Sequence, residues 1–163
     1  MKPVKNAVSF VIFAPETGEH PSDTATQPEG PPQNGRRSRK ILTVRRPEDD
    51  EELPGVWGLP AGSLLERETF PDGVVRAGEE KLGVELEVEE ILNDGQTERD
   101  EHVLYMKLFR ARIVEGTPTV PQEVGAITQY TEWEWADPER LRVAAANGSL
   151  CSRLLLDYLD LEQ

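Results

Sequence analysis

The chain has 163 residues, with 31 Asp or Glu against 18 Lys or Arg, which gives a net charge of −13 and a pI near 4.6. This length suits one domain that can bury its own hydrophobic core. An acidic surface repels polyanions, which argues against a protein that binds nucleic acid non-specifically. We therefore expect a single domain over residues 1–163 and no nucleic-acid partner.

Two further features of the sequence bear on location. No apolar run reaches the length of a transmembrane helix, and no small-residue cleavage site of a signal peptide follows the first strand-like segment. The single cysteine, Cys151, excludes an intramolecular disulfide and fits a reducing compartment. The leucines around it predict a buried helical position rather than a catalytic one. Together these features predict a cytoplasmic protein with no membrane partner.

The chain begins with two predicted strands that are separated by a long polar segment. Residues 7–14 (AVSFVIFA) form an apolar, β-branched run typical of a buried strand. Residues 15–38 are rich in Pro, Gly, Ser, Thr and Gln without periodicity, which predicts a flexible insertion. This insertion is either a spacer between two strands or a partner-binding loop. Residues 39–46 (RKILTVRR) predict the second strand, which ends in Arg45 and Arg46.

Residues 53–84 predict a strand-like piece, a loop and a helix in succession. The strand-like piece carries Trp57. Thr69 is the predicted N-cap of the helix, with Asp72 three residues later as the acidic half of a capping box. Gly83 ends the helix as its C′ residue, because glycine adopts the left-handed conformation that this position needs.

Two strands are predicted after this helix. Residues 85–96 alternate between polar and apolar side chains, which indicates a half-buried strand. Within them, the Asn-Asp-Gly sequence at 93–95 predicts a turn or a bulge. Residues 101–114 carry apolar side chains on both faces, so we expect them to form a central strand.

The last part of the chain predicts one more strand and two helices. Residues 130–135 (YTEWEW) read as a strand whose two tryptophans share a face. Asp137 and the proline after it predict the start of a helix that runs to about residue 146. A final amphipathic helix is expected over residues 150–161.

Six residues in the central stretch match a known signature. The Nudix signature is G-x5-E-x7-R-E-U-x-E-E-x-G-U, with U apolar, and PG-x-W-x-LPGG usually precedes it; here the preceding sequence is PGVWGLPAG. The chain therefore resembles the Nudix hydrolase superfamily. The resemblance implies an α/β (α+β) fold, the Nudix αβα sandwich, in which a mixed β-sheet lies between the signature helix and the C-terminal helix. The matching residues are Gly62, Glu68, Arg76, Glu80, Gly83 and Val84.

The resemblance also implies a metal site, which this chain keeps only in part. Family members hold Mg²⁺ or Mn²⁺ with three helix carboxylates at positions i, i+3 and i+4, which share one face. Here these positions are Ala77, Glu80 and Lys81, so one carboxylate of three remains. We expect Glu80 and the Ala61 carbonyl to bind the metal, or else Glu80 to pair with Lys81 or Arg76. A further carboxylate would come from Glu79, Glu98, Glu101 or Glu123.

Four other charged residues are candidates for the site. The resemblance implies that Glu68 and Arg76 form an ion pair that fixes the loop over the helix. It also implies that Arg45 or Arg46 contacts a substrate phosphate, since a guanidinium binds two oxygens at once; a solvated pair is the alternative. Lys81 is predicted to contact phosphate as a point charge, in partial replacement of the metal, or to be merely solvated.

The tryptophans, the histidines and Gly78 are expected to have structural rather than catalytic roles. The three tryptophans are expected in the core rather than stacked on a base. His20 and His102 are isolated from each other and predict no metal site. Gly78 replaces an apolar residue of the signature, and it is expected to weaken the helix by about 1 kcal/mol relative to alanine.

Two functions are compatible with these residues. The first is a hydrolase-like protein that acts on a nucleoside diphosphate linked to another moiety, with a metal-activated water attacking phosphorus. In it, Glu80 is catalytic and Glu68 and Arg76 brace the site. The alternative is a catalytically impaired Nudix-fold protein that binds a nucleotide-like ligand or a protein partner, because Ala77 and Lys81 replace metal ligands. A homodimer is expected by analogy with the family.

Overall fold

The computed structural model describes residues 2–15, 39–50, 53–124 and 127–161. Apart from Pro15, the predicted insertion at 15–38 lies outside them, as does His20. Within the described ranges, no helix has the length and apolar character that crossing a membrane requires.

Nine strands in the described part of the chain form three sheets. A four-stranded sheet has the order β4-β1-β6-β5, a three-stranded sheet the order β3-β2-β9, and β7 and β8 form a small hairpin. The four-stranded sheet is mixed, because β1 and β6 are parallel whereas the other pairs are antiparallel. The strands are β1 (Val4–Val11), β2 (Ile41–Arg45), β3 (Trp57–Gly58), β4 (Ala61–Ser63), β5 (Glu85–Glu98), β6 (Val103–Glu115), β7 (Glu123–Val124), β8 (Ile127–Thr128) and β9 (Glu132–Ala136).

The helices follow the predicted order. Helix α1 (Phe70–Ala77) continues directly into a π-helical turn (Gly78–Leu82). Near the C-terminus, a 3₁₀ turn (Pro138–Leu141) leads into α2 (Arg142–Ala146), and α3 (Leu150–Leu161) ends the described chain.

The two faces of the four-stranded sheet carry separate hydrophobic clusters. Alternate residues of β1 point to opposite faces, as the pleat requires, so Val8 and Phe10 join one cluster and Ala7 and Val11 join the other. The first cluster includes residues of α1 and the π turn, and the second includes residues of α3. This arrangement confirms the predicted mixed sheet with a helix on each face.

The sequence pattern predicted the position of β6 in the sheet correctly, but it did not predict the full length of β5. β6 lies between β1 and β5, which confirms the predicted central strand. The predicted turn or bulge at 93–95 does not end β5, which pairs with β6 as far as Glu98. The register shifts at three points, between Glu85 and Leu86, between Val88 and Glu90, and between Ile91 and Asn93, so the last irregularity reaches the first residue of the Asn-Asp-Gly sequence.

The ends of the signature helix are set by the predicted residues. The Thr69 hydroxyl accepts a hydrogen bond from the Asp72 amide at 3.1 Å, which satisfies one of the unpaired donors of the first turn. Gly83 follows the helix in the left-handed conformation with φ 71°, and its amide donates to the Glu79 carbonyl. Both predicted helix ends are therefore confirmed.

Gly78, the first residue of the π turn, lets Leu86 pack closely against the helix, although glycine has a low helix propensity. A Cβ at this position would lie 2.5 Å from Cδ1 and 2.7 Å from Cγ of the buried Leu86. We expect Gly78→Ala to destabilise the protein by about 1–3 kcal/mol, because overpacking outweighs the gain in helix propensity.

Urea unfolding of Gly78→Ala and of a matched control, Gly58→Ala, would test this expectation. A Cβ at Gly58 would have its nearest neighbour, the Ser152 hydroxyl oxygen, at 3.8 Å, so the added methyl fits there. A stabilised Gly78→Ala variant would show that Leu86 moves aside easily.

Candidate functional site

The site is built around Ala61, the first residue of β4. Strand β4 pairs with β1, so that Ala61 lies opposite Ser9, and the backbone at Ala61 is held by Tyr130. The Ala61 amide donates to the Tyr130 hydroxyl oxygen at 3.0 Å, and that hydroxyl lies 3.3 Å from the Ala61 carbonyl oxygen. Burial raises the pKa of Tyr130 to about 12, so the phenol stays neutral and keeps its proton to donate.

The Lys81 ammonium is hydrogen-bonded to the Ala61 carbonyl oxygen, the atom that was predicted to bind metal. Its Nζ donates to the Ala61 oxygen at 2.5 Å and lies 5.8 Å from the centroid of the Tyr130 ring. An ammonium has three N–H donors, and Ala61 accepts from one of them. The part of the chain that the structure describes provides no acceptor for the other two, which could therefore bind a ligand.

The Lys81 ammonium is held in an unfavourable environment. Burial, together with the nearby guanidinium groups of Arg46 and Arg76, lowers its pKa to about 8, whereas Glu80 acts in the opposite direction. An anion that reached Nζ would relieve both the desolvation and the repulsion. The position therefore favours a bound negative group.

Ala77 and Lys81 converge on Gly62. A Cβ at Gly62 would lie 3.5 Å from Lys81 Nζ and 3.6 Å from the Ala77 methyl group. The two replaced signature positions thus face the same point of the chain, beside Ala61. In place of two carboxylates, this point is surrounded by a methyl group and an ammonium.

The predicted Glu68–Arg76 ion pair is present and joins the signature loop to α1. Arg76 binds both carboxylate oxygens of Glu68 at 2.8 and 2.9 Å, Glu80 at 3.0 Å and the Ser63 carbonyl at 2.8 Å. The hydrogen bond from Arg76 lowers the pKa of Glu68, and the hydrogen bond to Glu68 raises the pKa of Arg76. Glu80 therefore follows the alternative prediction, in which it pairs with Arg76.

The residues at the signature helix do not fit Mg²⁺ or Mn²⁺. A divalent ion about 4 Å from an ammonium is repelled by on the order of 8 kcal/mol at an effective dielectric constant of 20. Such ions also need several oxygen ligands, but Lys81 occupies the Ala61 carbonyl, and Glu80 is bound to Arg76. In the described ranges, no three His, Cys, Asp or Glu side chains are grouped so that they could hold a metal.

Three of the four candidate second carboxylates have side chains within the described ranges, and none of these three belongs to a group of possible metal ligands. Glu98 at the end of β5 binds Lys2 at 2.9 Å, and Glu79 and Glu101 are exposed. The side chain of Glu123 is outside the described set. The metal-ligand roles of these residues and of Glu80 and Ala61 remain predictions.

Arg45 and Arg46, the two alternatives for a phosphate contact, have different surroundings in the structure. Arg45 donates to the Gly55 carbonyl and binds Glu48 and Glu132 at 2.6 and 3.1 Å, and it does not line the cavity beside Ala61. Arg46, by contrast, shares the lining of a cavity with Ala61.

This cavity has a volume of about 340 Å³ and lies between β4, β6 and the start of α3. Arg46 and Arg99 supply positive charge to its lining, and Leu104, Met106 and Leu150 supply apolar surface. Burial lowers the pKa of Arg46, but the carboxylate of Asp50, at 3.1 Å, and smaller contributions from Cys151 and Tyr130 together offset this, so the pKa is raised overall. The cavity therefore combines an apolar body with fixed cations, as a site for an organic anion requires.

The remaining candidates lie outside the contacts made by Lys81 and Ala61. Cys151 is buried in α3, as predicted, and lines the wall of the cavity. The Arg140 guanidinium lies over Trp57 at 4.3 Å, whereas Trp133 and Trp135 pack edge to face beside the first core cluster. His102 is half-buried at the start of β6.

Sequence reasoning missed Tyr130 and Arg99. Tyr130 appeared only as the start of a predicted strand, and Arg99 as part of a polar connection between strands. Their roles arise from contacts across 69 and 49 residues of chain, to Ala61 and to the Gly148 carbonyl. No local pattern in the sequence signals such contacts.

Several solved structures share this fold. A NUDIX hydrolase from Nitrosomonas europaea is 16% identical, with a TM-score of 0.66, and the match covers 98% of this chain and 90% of that one. An Ap4A hydrolase from C. elegans is 14% identical (TM-score 0.61, 96% of each chain), and an ADP-ribose pyrophosphatase from Streptococcus suis is 15% identical (TM-score 0.57, 98% and 92%). At these identities the likeness establishes the fold alone.

Sequence comparison gives the family more directly. No curated protein matches the chain closely enough to count as a relative. The family model described as NUDIX domain, however, matches residues 33–156, which is more than half of the chain. The match spans the signature stretch, Ala61 and most of α3. The chain therefore belongs to the Nudix family.

Proposed function

We propose that this protein binds a nucleotide-like diphosphate with its own cations and does not hydrolyse it by the metal-assisted route. The observation that carries the proposal is the 2.5 Å contact between Lys81 Nζ and the Ala61 carbonyl oxygen. An ammonium at this carbonyl neutralises phosphate charge as a metal would, but it does not activate water as a metal does.

The contacts around the cavity suggest how such a ligand is held. In this proposal the phosphates lie beside Ala61, which lines the cavity with Arg46 and whose carbonyl binds the Lys81 ammonium. The nucleoside enters the 340 Å³ cavity against Leu104 and Met106, and Arg99 supplies a further cation to the lining. The neighbouring structures named for Ap4A and ADP-ribose suggest diphosphates linked to a second moiety as ligands to test.

Calorimetric titration with pyrophosphate, ADP, ADP-ribose and a UDP-sugar would test this proposal. We expect at least one of them to bind with equal affinity in EDTA and in Mg²⁺, because the cations at the site belong to the protein. Release of phosphate should stay at the background rate with either Mg²⁺ or Mn²⁺.

The phosphate-release assay also tests the competing function, metal-dependent hydrolysis. Metal-dependent turnover that Glu80→Gln abolishes would overturn the proposal and establish a hydrolase with a reduced ligand set. Glu139→Gln is the matched control, because Glu139 also pairs with an arginine but lies on the exposed 3₁₀ turn.

A further inference from the structure

A second cavity lies just beyond the C-terminal end of β1. Its volume is about 350 Å³, and its lining includes residues that follow β1, residues in the second half of β6 and one residue of β9. Ser9 is the β1 residue opposite Ala61, and Phe13 in this cavity is four residues further along. At about 3.3 Å per residue, Phe13 lies roughly 13 Å along the chain from Ser9, and none of the described residues lines both cavities.

The walls of this cavity combine flat aromatic surface with guanidinium groups. Phe13 and Trp135 contribute the aromatic surface, and Arg39, Arg110 and Arg112 contribute the charge. The guanidinium carbons of Arg39 and Arg110 lie 5.1 and 5.6 Å from the centroid of the Phe13 ring, within the range of cation–π contacts. Three arginines in one lining are unexpected in a chain with a net charge of −13.

Nearby carboxylates neutralise most of this charge, and one donor is left over. Arg110 binds Glu90 through Nη2 at 3.1 Å, and Arg112 binds Glu87 and, at 3.5 Å, Glu89. The Nε–H of Arg110 is buried and has no hydrogen-bond partner within the described ranges. Since a buried donor without an acceptor is costly, this group is suited to an acceptor brought by a ligand.

We propose that this cavity binds a small aromatic monocarboxylate, with its ring against Phe13 and Trp135 and its carboxylate on Arg110. The volume is that of a small-molecule site. A single negative charge fits better than a phosphate dianion, because Glu89 also lines the cavity. This site is independent of Lys81 and of the diphosphate ligand.

Titration of the ¹⁵N-labelled full chain with 2-naphthoate, followed through the indole N–H of Trp135, tests the site. We expect 2-naphthoate to shift this resonance, and its neutral isostere 2-naphthamide to bind at least fivefold more weakly. Arg110→Gln should weaken naphthoate binding at least fivefold. Arg142→Gln, which removes an exposed arginine paired with Glu139, should bind as the wild type does.

The outcomes separate this proposal from its alternatives. No shift of the Trp135 indole, an equal response to the acid and the amide, or unchanged affinity in Arg110→Gln would each overturn it. If the amide resonances of Arg110→Gln show that this variant is unfolded, the test uses Arg110→Lys instead. We expect this variant to bind naphthoate weakly too, because an ammonium lacks the Nε donor. Lys81→Met should leave naphthoate binding intact. A failure of the proposed diphosphate site can therefore be distinguished from a failure of this second site.

Discussion

Replacement of Lys81 by methionine is expected to weaken pyrophosphate binding at pH 7 at least tenfold and, at the same time, to stabilise the fold. The loss of affinity follows from removal of a charge-assisted hydrogen bond, which contributes about 1.5–3 kcal/mol, where 1.4 kcal/mol is a factor of ten. A residue with a merely structural role would not lower affinity while raising stability.

The gain in stability follows from the cost of burying the ammonium. The pKa of Lys81 is lowered to about 8 from 10.5, mainly by burial, and this difference corresponds to about 3 kcal/mol of folding free energy. Below pH 8 the charged amine carries this full cost. Because the variant also loses the bond to Ala61, we expect a net gain of about 1–3 kcal/mol, with Tyr130 still donating to that carbonyl.

The pH dependence gives the same prediction a second readout. Between pH 8 and 10.5 the unfolded chain keeps a proton on Lys81 that the folded chain has released, so wild-type stability rises with pH in this window. The variant lacks this rise. Above pH 10 the raised pKa of Tyr130 acts in the opposite direction, since the unfolded chain then loses the tyrosine proton first.

Urea unfolding at pH 7 and pH 9.5, with calorimetric titration of pyrophosphate, measures both effects. Lys5→Met is the matched control, because Lys5 is exposed at the start of β1. Unchanged affinity in Lys81→Met would remove Lys81 from the ligand site. A wild-type and a variant with the same pH dependence would show that the ammonium is not desolvated.

Replacement of Arg76 by methionine is expected to destabilise the protein by about 2–4 kcal/mol. The guanidinium joins Glu68, Glu80 and the Ser63 carbonyl, and its removal leaves the Glu68 carboxylate, which is 12% exposed, without its main partner. Breaking a buried pair in this way costs about 3–5 kcal/mol, and the partial exposure here lowers that figure.

Acid unfolding provides a specific signature of the Glu68–Arg76 pair. The hydrogen bond from Arg76 lowers the pKa of Glu68, so the pair stabilises the fold above the ordinary glutamate pKa and loses this effect as the pH falls through the lowered value. Arg76→Met should therefore show a shallower loss of stability in acid. Arg142→Met, which breaks an exposed arginine–glutamate pair, should leave the unfolding midpoint unchanged. Equal effects of the two substitutions would contradict the prediction.

Local signals in the sequence were enough to predict the elements that frame the site. The Thr69 cap, the Gly83 stop and the Glu68–Arg76 pair each depend on residues within ten positions of each other, where spacing determines geometry. The sequence also identified Ala77 and Lys81 as departures from the metal-binding pattern. The fold followed from family resemblance combined with the strand and helix order.

Long-range geometry was beyond the sequence. That Lys81 reaches the Ala61 carbonyl depends on how β4 is placed against the helix, twenty residues away in the chain. The role of Tyr130, which lies between β8 and β9, and the choice of Arg46, which follows β2, likewise depend on where these residues are placed relative to Ala61. The π turn was also missed, because one unchanged helical period was assumed through Gly78.

The π turn constrains any attempt to restore the full metal-binding signature to this chain. Its hydrogen bonds span five residues instead of four, so positions 77, 80 and 81 are not related as they would be in an α-helix. Glutamates introduced at 77 and 81 would both lie near Gly62, but on a helix whose winding changes between them. An engineering route therefore has to reset the winding of the helix at Gly78, together with its contact on Leu86, before new carboxylates could act together on one ion.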